Sequence, residues 1–272
     1  CKGLRTPLRA ALELLQERHA RAVALCHKVG MPTCAALSDV PSLRWKRVGL
    51  NADDMATLGM ILRTSGLPRL VAFDLSNNSF GDAGVQSLCD GLGSGGAPKL
   101  SAISLGQTDG DPTIGPAGAF FLDHGNDQFG PAGAEALAAV LRSGALPRLA
   151  ALSLHGASIG SQGLTTLAPL LRKCPTLKSL SLAFCEIGDE GVASLVGDLG
   201  KDDLKVLYQL HLAGNEITDT GMAQLAGAID AGGMPKLVVD PPGSAESLLS
   251  ASNLLASAAA CQAVHDALAK RH

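Results

Sequence analysis

Aromatic side chains are scarce: they make up 3 % of the 272 residues, with one Trp and one Tyr. Any core must therefore be aliphatic, and a hydrophobic content of 46 % is ample for one. Charge of one sign is also lacking. A net charge of −3 gives no general attraction to nucleic acid or anionic lipid. No C-x-x-C pair occurs among the seven cysteines. Their odd number and irregular spacing argue against a disulfide framework and against structural zinc. They read as reduced thiols, which points to an intracellular, cytoplasmic or otherwise reducing compartment. No apolar run approaches the roughly 18 residues of a membrane span. No signal peptide is visible, and the chain opens on Cys1. Truncation is the plain reading of that start, a lipid-modified cysteine the other. There is no G-x-x-x-x-G-K-[ST] loop, no G-x-S-x-G elbow and no H-E-x-x-H. The expectation is a chain without catalytic residues, cofactor, metal site or small-molecule substrate.

What is present is a template. "LYQLHLAGNEITDTGMAQLAGAI", beginning at Leu207, has leucines at positions 1, 4 and 6 and Asn at position 9, followed by a helix-period run. "LVAFDLSNNSFGDAGVQSLCDGL" begins at Leu70, "LAALSLHGASIGSQGLTTLAPLL" at Leu149 and "LKSLSLAFCEIGDEGVASLVGDL" at Leu177. A divergent copy starts at Leu100, a truncated one at Leu237 and a weaker one, "LRWKRVGLNADDMATLGMIL", at Leu43. From Leu70 onward the steps are 30, 49, 28, 30 and 30 residues, so one step is out of line.

Positions 4 and 6 point to one face of a strand, so Phe73/Leu75, Ile103/Leu105, Leu152/Leu154, Leu180/Leu182 and Leu210/Leu212 are the expected core. Position 13, held by Asp82, Ser161, Asp189 and Asp219, stands where a helix N-cap would. The helices carry Leu88/Leu92, Leu167/Leu171 and Leu195/Leu199. One such unit cannot bury its own apolar face, but a stack of them can.

This pattern resembles the leucine-rich repeat, specifically the long subtype of ribonuclease inhibitor, over about residues 43–240. The resemblance implies an α/β fold: a right-handed curved solenoid with parallel strands on the concave face and helices on the convex face. It also implies that the Asn side chains at position 9 (Asn78, Asn215, with Cys185 as the variant) form a hydrogen-bonded ladder, interrupted at Ala157 and Thr108. Residues 1–42 read as an N-terminal helical cap. In it, Thr6 suits the N-cap and Pro7 the first turn, and Leu8, Leu12, Leu15 and His19 form one stripe. Residues 241–272 read as a C-terminal helical cap.

The implied function is protein–protein interaction, as scaffold, adaptor or subunit of a larger assembly, through the concave face and rim loops. The same subtype builds Ran GTPase-activating proteins, which act on a bound small GTPase; that is the alternative the resemblance brings. Positions 3, 5 and 7 face the hollow and are mostly Ala, Ser and Gly, without the clustered Lys/Arg and aromatics that nucleic acid requires. The large side chains there, His155, Phe184, Tyr208, Gln209 and His211, are the expected anchors and should form one patch. Phe184 has the alternative of turning into the core. Arg69, Lys99, Arg148 and Lys236 line one rim, as a solvated stripe or as the dock of an acidic partner. The irregular insertion at about 106–128 supplies Phe120 and Phe121, which either anchor a partner or fold back on the helices. Its acids, Asp109, Asp111, Asp123 and Asp127, lack the alternation and closing Glu of a calcium loop.

Overall fold

Each repeat contributes one three-residue strand: β1 (Ser42–Arg44), β2 (Ala72–Asp74), β3 (Ala102–Ser104), β4 (Ala151–Ser153), β5 (Ser179–Ser181) and β6 (Gln209–His211). The computed structural model describes residues 2–106, 129–197, 199–200, 202–238, 253 and 255–270. The strands pair in parallel in sequence order, β1 to β6. The register puts Phe73, Ile103, Leu152, Leu180 and Leu210 in one row, all at position 4. All five are buried, as are the position-6 leucines Leu75, Leu105, Leu154, Leu182 and Leu212. β3 pairs directly with β4, Ile103 opposite Leu152, so the insertion between them adds no rung to the sheet.

Helices follow the strands: α1 (Lys2–Lys28) precedes β1, then come α2 (Ala52–Thr64), α3 (Gly81–Gly93), α4 (Pro131–Ser143), α5 (Gly160–Arg172), α6 (Asp189–Val196), α7 (Asp219–Asp230) and α8 (Ala258–Ala269). Neighbouring strands are about 4.8 Å apart, whereas packed helices need about 8–10 Å. The layer of helices is therefore the longer one, and the array bends with the strands inside. The crossovers are right-handed, as strand–helix–strand units of a parallel sheet are. The fold is the expected solenoid. Phe129 fills the position-11 slot of its repeat, as Phe80, Ile159, Ile187 and Ile217 do in theirs, and all five are buried. The stretch "GPAGA" at 130–134 therefore opens α4, with Pro131 in its first turn.

The polar ladder is present where its Asn residues are. Asn78 Oδ1 accepts from Leu50 N–H at 2.9 Å, and its Nδ2 donates to the Trp45 and Leu75 carbonyls, both at 2.7 Å. Asn215 repeats this on Ile187 N–H, Leu182 O and Leu212 O, and adds Cys185 N–H. The Cys185 thiol donates to Leu154 O at 3.0 Å. Ala157 contributes burial only. Thr108 lies outside the described residues.

Five expectations need correction. The first concerns the opening repeat. Leu43 is opposite Phe73, so it holds position 4 and not position 1. The repeat begins three residues earlier, at Val40, and Trp45 fills position 6, stacked edge-on against Phe73 with ring centroids 5.9 Å apart.

The second concerns position 13. Asp82, Asp189 and Asp219 lie in the first turn of their own helices but accept hydrogen bonds from the next helix of the array. Asp82 Oδ1 takes Gly130 N–H at 2.8 Å and Gly133 N–H at 2.7 Å. Asp189 takes Thr218 N–H, Thr218 Oγ1–H and Gly221 N–H at 2.8, 2.5 and 3.0 Å. Ser161 Oγ accepts from Gly188 N–H, and Asp219 from Ser257 N–H. Each position-13 oxygen thus serves orphan donors of its neighbour and joins two repeats. Asp189→Ala should cost about 2 kcal/mol. Urea titration checks this, and Asp189→Asn, which keeps an acceptor, should recover part of the loss.

The third concerns α1. It starts at Lys2, so Thr6 and Pro7 are inside it rather than at its cap. At 27 residues the helix is about twice as long as the 13-residue helix α2 that it packs on. Only its last turns reach α2, through Ala22, Leu25 and Cys26 and a Lys28–Asp54 ion pair at 2.5 Å. Leu8, Leu12, Leu15 and His19 are exposed and cover nothing among the described residues.

The fourth concerns the C-terminal segment. Val238 N–H donates to Tyr208 O at 3.2 Å, as Tyr208 N–H does to Lys178 O in the previous repeat. Asn253 is buried; its Nδ2 donates to Leu212 O and its Oδ1 accepts from Asn215 N–H, both at 3.0 Å. These are the position-9 contacts. Among the described residues, Asn253 thus continues the ladder past Asn215 and α8 packs on α7, which a plain closing cap did not anticipate.

The fifth concerns α6. It ends at Val196, where Gly197 turns extended, so Leu199 lies in the following loop and is half-buried while Leu195 stays in the core.

Candidate functional site

At position 8 the chain must leave the sheet. Arg47, Asn77, Gly156, Phe184 and Gly214 all take left-handed backbone there, with φ of 58°, 57°, 71°, 56° and 68°. For a bulky residue such as Phe184 this conformation costs on the order of 1–2 kcal/mol. The surroundings hold it. The Phe184 ring is tilted against His155 of the preceding repeat, with centroids 5.3 Å apart. It also lies over Gly214 of the following repeat, where an added Cβ would stand 2.3 Å from Phe184 Cδ1. Phe184 is half-buried at the rim and does not turn into the core. Its ring spans three successive repeats at the C-terminal ends of the strands.

Gln209 and His211, at positions 3 and 5 of β6, are half-buried on the hollow side. Tyr208, at position 2, is on the opposite rim and 40 % exposed. Positions 2 and 8 are six residue steps apart, about 20 Å at 3.3 Å per step of extended chain. The five large side chains therefore form a band across the width of the sheet rather than one compact patch. In the first repeat Arg44 and Lys46, at positions 5 and 7, stand exposed on the hollow; the rest of it is small, with Ala72, Ala102, Ala151, Ser104, Ser153 and Ser181 half-buried. Asp74 is engaged locally, its Oδ1 accepting from Ser76 N–H at 3.1 Å and from Ser76 Oγ–H at 2.5 Å.

Tyr208 shares its rim with the basic row. Arg69, Lys99, Arg148 and Lys236, each just ahead of position 1, are all exposed. Arg69 reaches Asp39 at 3.5 Å, a pair so open to water that it contributes little. Sequence reasoning missed what accompanies them. Val71 and Val238 occupy position 2 like Tyr208, and all three are exposed to a similar degree, 40–41 %. This rim thus alternates cations with exposed apolar side chains. The legible signal was Val, Tyr and Val at position 2, two residues after a basic residue in two of the three repeats. Phe120 and Phe121, and the acids at 109–127, lie outside the described residues.

The groups elsewhere offer little chemistry. Burial pushes the Cys89 and Cys185 thiols up to about 12, so neither is a thiolate near neutrality. A hydrogen bond from Lys173 at 2.7 Å holds the Asp203 carboxyl below its ordinary range. Among the described residues, no three His, Cys, Asp or Glu side chains converge as metal ligands. No described helix is long and apolar enough to cross a membrane. A cleft of about 430 Å³ lies on the helical side, between α6 and α7, lined by Val196, Leu199, Gln224 and Ala228 among others, well away from the band.

Parallel three-residue strands, one helix per crossover and an Asn ladder define a leucine-rich-repeat solenoid. The sequence profile of the Leucine Rich repeat family matches residues 68–89, 173–196 and 206–226. Among curated proteins no sequence matches it. Among solved structures, an internalin from Listeria monocytogenes is similar at 16 % identity and a TM-score of 0.28, over 72 % of this chain and 52 % of the internalin. The chain thus spans about half the length of that protein.

Proposed function

We propose that this leucine-rich-repeat array is a protein-binding module, a scaffold, adaptor or subunit of a larger assembly, that holds its partner across the hollow and the basic rim. The repeats are of the ribonuclease-inhibitor-like subtype, on the strength of their 28–30-residue steps and the full helix in most of them. The reading is carried by the rim where Tyr208, Val71 and Val238 stand exposed among Arg69, Lys99, Arg148 and Lys236. Exposed aromatic and aliphatic side chains anchor interfaces, because they bury much area at little rotamer cost. The cations beside them select a partner with acidic groups and steer its approach. The small residues of the hollow let a partner's backbone come close, and Gln209, His211, His155 and Phe184 continue the contact to the far rim. Phe120 and Phe121 of the insertion are proposed as further anchors. The direct pairing of β3 with β4 supports this, because the sheet does not depend on the insertion. The odd number and irregular spacing of the cysteines suit an intracellular, cytoplasmic or otherwise reducing compartment.

Tyr208→Ala combined with His211→Ala should weaken partner binding by about 2 kcal/mol, roughly thirtyfold, with the melting temperature nearly unchanged. Isothermal titration with the protein captured from the native source measures this. Binding should also weaken as salt rises from 50 to 300 mM, about one to six times a low-salt reference, because the rim cations are exposed and screened. An affinity that ignores both the double substitution and salt would move the interface off this band.

A further inference from the structure

Cys26 ends the buried stripe of α1, and Cys34 stands immediately before the 3-10 turn Ala35–Ser38 that leads into β1. Their Sγ atoms are 3.3 Å apart, and both are free thiols. A disulfide bond is about 2.05 Å long, so the sulfurs need to close by only about 1.3 Å. The segment between them is already folded back. Met31 N–H donates to Cys26 O at 2.8 Å and Gly30 N–H to His27 O at 3.2 Å, with Gly30 at φ +71°. Ala36 N–H donates to Thr33 Oγ1 at 3.2 Å on the far side. Cys26 is 1 % exposed and Cys34 is half-buried, so one sulfur of the pair is within reach of a reagent. The other described cysteines belong to other parts of the array: Cys89 in α3, Cys174 after α5, Cys185 at position 9 of its repeat and Cys261 in α8.

We infer that Cys26 and Cys34 are a redox-active pair, converted by a low-molecular-weight disulfide into an intramolecular bond that staples the end of α1 to the first repeat. In the first step the Cys34 thiolate attacks one sulfur of the reagent. The reagent's S–S bond breaks, one thiolate leaves and a mixed disulfide forms on Cys34. In the second step Cys26 sulfur attacks the Cys34 sulfur and the second reagent thiolate leaves, taking up the proton that Cys26 gives. Two protein thiols are oxidised and one reagent disulfide is reduced to two thiols. Burial, then the neighbouring Cys34, pushes the Cys26 thiol up to about 12, so the opening step falls to the more exposed Cys34, and Cys26 resolves by its nearness at 3.3 Å. The bond would reinforce a junction that otherwise rests on Ala22, Leu25 and Cys26 and the Lys28–Asp54 pair. In a reducing compartment such a bond is transient, as redox-sensing disulfides are.

The test treats the purified chain with glutathione disulfide, quenches in acid, alkylates free thiols in denaturant and digests with trypsin. The expected product is peptide 22–28 joined to peptide 29–44. Two of the seven thiols should be lost to alkylation, and dithiothreitol should restore both. Cys34→Ser should abolish the joined pair and leave Cys26 alkylated. The oxidised protein should melt about 4 °C higher than the reduced one. Recovery of both peptides alkylated, or of Cys34 carrying glutathione with Cys26 still a free thiol, would overturn the inference on the wild-type chain alone.

Discussion

Asn215→Ala should lower stability by about 4 kcal/mol, the largest effect expected of any single polar residue here. Asn215 is buried, and its side chain serves two repeats at once. Its Oδ1 accepts from Cys185 and Ile187 N–H at 2.9 and 3.1 Å, and its Nδ2 donates to the Leu182 and Leu212 carbonyls at 2.8 and 2.9 Å. Truncation strands two donors and two acceptors away from water. Each stranded group costs about 1–3 kcal/mol, and a water entering the space recovers part of the sum. Cys185→Ala removes one weak thiol donor from the same ladder and should cost far less, about 1 kcal/mol. Two intrinsic probes at opposite ends of the array report the outcome. Trp45 is the only Trp, in the first repeat, and Tyr208 the only Tyr, beside β6. Stability in a stacked array is a sum of local and neighbour terms, so in urea the Tyr208 transition should move to lower denaturant before the Trp45 transition does. A loss below about 1.5 kcal/mol, or two transitions that shift equally, would contradict the ladder's role.

Leu180→Ala should cost about 3–4 kcal/mol, within the usual range of 2–5 for a buried leucine. Leu180 is fully buried and lies between Leu152 of β4 and Leu210 of β6 in the position-4 row. Backbone pairing on both sides fixes those strands, so the site has little freedom to collapse into the void. Leu182 and Leu195 are equally buried, and their Ala variants should fall in the same range. Losses under about 0.5 kcal/mol at all three would mean that the leucines of positions 4 and 6 and of the helices do not face the core.

The sheet was legible because its leucines recur at positions 1, 4 and 6, and strand periodicity leaves those side chains only one face to share. The opening repeat misled for a specific reason. Counted from Leu43, Val48 and Asn51 fall at positions 6 and 9 like the start of a unit, while the true position 1 is Val40 and position 6 is the single Trp. Asn253 was overlooked because the template counted from Leu237 places position 9 at residue 245, eight residues too early. An acid in the first turn of a helix is visible in one dimension. That Asp82 and Asp189 serve the next helix is a property of how repeats stack, and no single repeat contains it. The leucine stripe of α1 was equally visible, but a stripe does not say whether anything covers it, and Leu8, Leu12 and Leu15 are uncovered among the described residues. At the candidate site the side chains were chosen by size. Their spread over two rims follows from Tyr208 at position 2 and Phe184 at position 8. The left-handed turn that lays Phe184 against His155 has no signature at a phenylalanine.

The most direct test of a partner held across the hollow and basic rim is hydroxyl-radical footprinting of the protein alone and with the protein it captures. Tyr208, exposed in the free chain, should lose most of its oxidation in the complex, at least fivefold on the reasoning that interface anchors are fully desolvated. His211, Phe184 and His155 should be protected with it, while exposed Leu14 in α1 should keep its rate. Unchanged oxidation of Tyr208 and His211, with protection confined to the helices of the convex side, would contradict the account.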